Sequence, residues 1–93
     1  MRHLLVSSRR DRLADDLRAL LPPSSVLLTA RGVDATLERL ARSARVDAVV
    51  TDDAAVRTAI REEVPGCLPV VLVPEAASAS EAIRRIEEAL EAP

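Results

Sequence analysis

Thr51, Asp52 and Asp53 follow directly on the apolar run Ala48 to Val50. A buried strand that ends on carboxylates can hold a metal ion, accept a phosphoryl group or cap the next helix. A second polar pair, Ser7 and Ser8, closes the run Leu4-Leu5-Val6 in the same way, with Arg9 and Arg10 behind it. Hydroxyls beside the free N–H groups of a helix start suit an anion, and equally suit a plain N-cap. The other reactive side chains stand alone. His3 is the single histidine and Cys67 the single cysteine. One His without a Cys partner does not make a zinc site, so no metal or other cofactor is expected. Cys67, just ahead of the run "LPVVLV", reads as a small buried apolar residue. The sequence has no G-x-S-x-G and no P-loop, and the expectation is a protein that is not an enzyme.

Positioning these residues takes a regular alternation of strands and helices. Leu4 to Val6 is a first strand. Arg9 to Leu21 has Leu13, Leu17, Leu20 and Leu21 at helical spacing, and Pro22-Pro23 stops it. Ser8 and Asp11 resemble a capping box with Asp in place of Glu. Ser25 to Ala30 is a second strand, broken by Gly32. Asp34 to Ser43 predicts a helix with Leu37, Leu40, Ala41 and Ala44 on one face. Val46 to Thr51 is the third strand, and Asp52 or Asp53 caps a helix that buries Val56, Ala59, Ile60 and Val64 before Pro65-Gly66. Leu68 to Val73 is the fourth strand, flanked by Pro69 and Pro74. Ser78 and Glu81 form a capping box for a last helix with Ile83, Ile86 and Leu90 as its apolar stripe. The order βαβαβαβα predicts one α/β domain over residues 1–93, a parallel sheet with helices on both faces. The runs LLV, VLL, AVV and VVLV do not alternate apolar with polar, as strands covered on both faces require.

Composition excludes several partners. Nearly half of the 93 residues are apolar, yet Phe, Tyr and Trp are absent, so the core is aliphatic and no ring is available to stack a base. All 13 basic residues are Arg, interspersed with 15 acids to a net charge of −2, and no basic stripe forms. Nucleic-acid binding is not expected. No apolar run approaches the length of a membrane span, and the short apolar stretch after Met1-Arg2-His3 does not make a signal-peptide core. With one cysteine, a reducing cytoplasm fits.

From residue 26 onward the chain resembles the receiver domain of bacterial response regulators. The stretch "VLLTARGVDATLERLARSARVDAVVTD" follows the receiver pattern at Ala30, Gly32, Ala35, Leu37, Leu40, Asp47, Val49 and Asp52, and "VRTAIREEVPGCLPVVLV" resembles the third helix and fourth strand. With the first helix included, the resemblance covers roughly residues 3–73. It implies a flavodoxin-like sheet of order 2-1-3-4, with the chemistry in the crevice between strands 1 and 3. It implies Asp52 as phosphoacceptor, with Ser7, Ser8, Thr51 and Asp53 around it.

Working receivers also carry two acids after strand 1 to hold Mg²⁺, a Thr or Ser after strand 4, and a Lys on a fifth strand. Here those places are Ser7-Ser8 and Val73-Pro74, there is no Lys, and no fifth strand is expected. The resemblance is therefore to a truncated pseudo-receiver that signals through protein–protein contact. Strand 4 would be an apolar sheet edge, blunted by its prolines. Leu68, Val70, Leu72, Ile83 and Ile86 are the expected interface, toward a protein partner or a second copy in a homodimer. An active phosphoacceptor at Asp52 is the alternative. A further alternative is a small assembly subunit resembling the F subunit of rotary ATPases, although the helical extension of those subunits is not expected here.

Overall fold

Four short β-rich runs pair because their backbone groups are buried under helices and need partners. The computed structural model describes residues 3–9, 11–43, 45–64, 66, 68–74 and 77–91. Its strands are β1 (His3–Ser7), β2 (Val26–Ala30), β3 (Ala48–Thr51) and β4 (Val70–Leu72). The helices are α1 (Asp11–Leu20), α2 (Val33–Arg42), α3 (Ala54–Glu63) and α4 (Ala79–Glu91). All strand pairs are parallel and the order is β2-β1-β3-β4, a flavodoxin-like layout. Leu5 lies beside Leu28 on one side and Val49 on the other, so β1 and β3 are the central strands.

The strands bury both faces. On one face Leu4, Val6, Ala48, Val50, Val71 and Val73 meet Ala14 and Leu17 of α1 and Ala82 and Ile86 of α4. On the other, Leu5 and Val49 meet Val56 and Ile60 of α3, with Leu37 and Leu40 of α2 packed alongside. This explains why the apolar runs do not alternate: adjacent residues serve different cores.

The structure departs from the sequence reading in several details. Leu20 is 52% exposed, although its spacing put it on the buried face of α1. The buried residues of α1 are Ala14 and Leu17, with Leu13 one turn earlier and Leu21 just past the helix packed alongside, whereas Leu20 is the last residue of the helix and projects about 60° from Leu17. On α2 the fully buried residue is Thr36, while Ala41 is exposed. Ile86, expected at an interface, is 0% exposed within the chain's own core, because α4 turns it onto β1, β3 and β4. The third strand begins at Ala48 rather than Val46, since Asp47 folds back onto His3. Cys67, Pro65 and Ala44 lie outside the described residues.

Candidate functional site

The crevice forms where β1 and β3 release their chains in opposite directions, to α1 on one side and α3 on the other. The two carboxylates at the end of β3 divide the work there. Asp53 is the N-cap of α3: its Oδ1 accepts the Ala55 N–H at 2.9 Å, and Arg9 Nη2 lies 3.9 Å from its Oδ2. Thr51 makes this assignment. Its buried hydroxyl accepts the Asp53 N–H at 3.0 Å and fixes the turn so that Asp53 meets the helix start. Asp52 is not the cap. Its Oδ2 instead accepts the hydroxyl of Ser8 across the crevice at 2.9 Å.

The two serines separate in the same manner. Ser8 faces Asp52. Ser7 is buried and turns to α2, where its Oγ lies 2.6 Å from Thr36 Oγ1. Thr36 Oγ1 donates its only proton to the Gly32 carbonyl at 2.6 Å, so Ser7 is the donor to Thr36. Gly32 has φ +84°, a region that disfavours any residue with a β-carbon, and the backbone there points its carbonyl at both the N–H and the hydroxyl of Thr36. Ser7 and Thr51 are thus structural. Ser8, Asp52, Asp53 and Arg9 are the polar groups gathered at the crevice.

Magnesium needs several hard, anionic oxygens. Asp53 is committed to a helix, Ser7 to Thr36, and the hydroxyl of Ser8 to Asp52, so this donor set does not fit the metal of a working receiver. Among the described residues no three His, Cys, Asp or Glu side chains converge on one point. Beyond β4, Val73 is buried in the core and Pro74 is exposed, so no hydroxyl stands there. A hollow of about 310 Å³ opens beside Ser8 on the β2 side, lined by Thr29, Ala30, Arg18 and Arg31 among others. Neither Asp52 nor Asp53 lines it.

At the opposite end of the sheet, Asp47 ties β1 to β3. Its Oδ2 accepts the His3 N–H at 2.8 Å, its Oδ1 lies 3.2 Å from Arg45 Nε, and its own N–H bonds the His3 carbonyl at 2.7 Å. The His3 N–H holds the carboxyl below its ordinary pKa. Burial opposes this, and the bond and charge of Arg45 add to it. The His3 ring nitrogen Nδ1 lies 3.9 Å from the same carboxylate and has no hydrogen-bond partner.

The free side of β4 is the other notable surface. The Pro69 carbonyl accepts from Val49, and the Val73 N–H donates to Thr51. By the alternation of a parallel ladder, Val71 also faces β3, while Val70 and Leu72 turn their N–H and C=O outward. Among the described residues no strand pairs with that side. Pro69 lies on the inward register, so of the two prolines only Pro74 denies a donor to the edge. Arg85 on α4 donates to the Leu72 carbonyl at 3.2 Å and to Glu81 Oε1 at 3.2 Å. A groove of about 500 Å³ runs along the edge, lined by Val70, Leu72, Arg57, Arg85, Glu88 and Ala89. The Nε of Arg57 is buried without a hydrogen-bond partner. Leu68, Val70 and Leu72 are half-buried, as is Ile83, and Leu68 and Val70 pack against the α3 side. The residues that α4 brings to the edge are Arg85, Glu88 and Ala89, of which the first two are charged. Nothing in the sequence pattern marked Arg57 or Thr36; only their places in the fold do.

No helix among the described residues is long and apolar enough to cross a membrane. Neither a known protein family, nor a curated protein, nor a solved structure matches this chain.

Proposed function

We propose that this chain is a receiver-like, non-catalytic module of the cytoplasm that acts through protein–protein contact, with the outer edge of β4 as its contact surface. The observation that carries this reading is the edge itself: outward backbone groups at Val70 and Leu72, half-buried apolar side chains, and an unsatisfied buried donor at Arg57. Sheet edges of this kind are normally covered. The crevice supports the same reading, because Asp52 has a serine hydroxyl for a neighbour where phosphoryl chemistry wants metal-binding acids.

A second reading, phosphoacceptor chemistry at Asp52, draws on one specific observation: Asp53 caps α3, so Asp52 is not used for that purpose. The test separates the two. The chain is incubated with acetyl phosphate and Mg²⁺, and its intact mass is recorded. An unchanged mass is the expected result. A phosphoryl adduct that disappears in Asp52→Asn overturns the non-catalytic reading.

A further inference from the structure

We infer that the partner at the β4 edge is a second copy of this chain, paired antiparallel about a two-fold axis through Val71. The inference rests on the contact surface just proposed. An isologous interface requires a self-complementary surface, and the β4 edge meets that requirement in its backbone and in its charges.

The backbone comes first. Val70 and Leu72 both present N–H and C=O outward, with Val71 between them facing β3. A two-fold axis at Val71 sets Val70 opposite Leu72 of the second copy, and Leu72 opposite Val70. Outward residues placed opposite one another in an antiparallel pair exchange both hydrogen bonds. Four bonds then form, and every outward group of the strand is satisfied. The Leu72 carbonyl has two lone pairs, so it accepts the new N–H whether or not Arg85 stays. The result is one continuous eight-stranded sheet.

The charges follow the same axis. Arg85 sits at the level of Leu72, whose carbonyl it contacts. Glu88 is about one helical turn further along α4, which returns over the sheet toward the level of Val70, and both line the edge groove. The axis that exchanges Leu72 with Val70 also exchanges these levels. Glu88 of each copy therefore faces Arg85 of the other, giving two reciprocal ion pairs across the dimer.

The test is sedimentation of the full chain from the micromolar to the millimolar range, with Arg85→Glu, Glu88→Arg and the double swap beside it. Circular dichroism confirms that each is folded. The wild-type chain is expected to dimerise, each single swap to weaken the dimer roughly tenfold, and the double swap to restore it. Leu72→Pro, which removes one outward N–H, is expected to abolish it. A wild-type chain that stays monomeric overturns the inference, as does a dimer unmoved by the swaps, or a double swap that stays as weak as the single ones. A monomeric result leaves the interaction-module reading standing, whereas a phosphoryl adduct at Asp52 defeats that reading and not the dimer.

Discussion

Asp52 and Asp53 share a chemistry and differ only in what their backbone lets them reach. The Thr51 hydroxyl binds the Asp53 N–H, and that single bond decides which carboxylate meets the free N–H groups of α3. Asp53→Ala is expected to cost about 1 kcal/mol in urea unfolding, and Asp53→Asn only a small part of that, since Asn caps nearly as well. The sequence could not choose between the two residues, because either spacing fits a cap and the deciding bond comes from a buried threonine. Asp47 carries the pH dependence at this scale. Its carboxyl titrates below its ordinary value in the folded chain, owing first to the His3 N–H. The unfolded chain therefore binds the proton more readily, so the stability from Asp47 is fully present above the ordinary carboxyl pKa. It fades as pH falls through the lower folded value. Asp47→Ala is expected to cost about 1 kcal/mol at neutral pH. Urea midpoints of the two proteins should converge as the pH is lowered through the acid range; a gap that is constant with pH would refute the staple.

Between elements, the bond from Ser7 through Thr36 to Gly32 fastens β1 to α2. The order of donors makes the two truncations unequal. Thr36→Val strands the buried Ser7 hydroxyl and leaves the Gly32 carbonyl with one bond fewer, at a cost of about 1–3 kcal/mol. Ser7→Ala leaves the Thr36 bond to Gly32 intact and should cost about 1 kcal/mol or less. The double variant is expected to cost less than the two single costs together, because no stranded donor remains; strict additivity in a double-mutant cycle would argue against the coupling. The alternation of elements was readable from the unbroken apolar runs, and right-handed crossovers narrowed the topology, but the order 2-1-3-4 was legible only through the resemblance to receivers. Thr36 was not readable. A polar residue beside Leu37 looks like a helix surface until β1 is known to run beneath it. The length of β4 was equally hidden. Leu68 to Val73 is uniformly apolar, but the register of β3 leaves only Val70–Leu72 to pair as a strand.

For the whole molecule, the absence of aromatic rings means that both cores rely on the close fit of many small aliphatic groups. A domain of this length buries only about 60–65% of the surface its unfolded chain exposes, and its total stability is on the order of 5–15 kcal/mol. A single core position therefore holds a large share. Ile86 is such a position: fully buried, it joins α4 to the layer formed by Leu4, Val50, Val71 and Leu17. Its truncation is consequently a test of the fold and not of the β4 edge, where Arg85 and Glu88 on the same helix are the informative residues. Ile86→Ala is expected to cost about 2–5 kcal/mol through lost contact and residual cavity. For a domain of this size that lowers the melting temperature by about 10 °C or more. Leu20→Ala, by contrast, removes a side chain already half in water and should change stability by less than about 0.5 kcal/mol. Thermal and urea unfolding of both variants measure the contrast directly. Equal losses at the two positions would mean that α1 and α4 do not lie on the sheet in the orientation that buries Leu17 and Ile86 together.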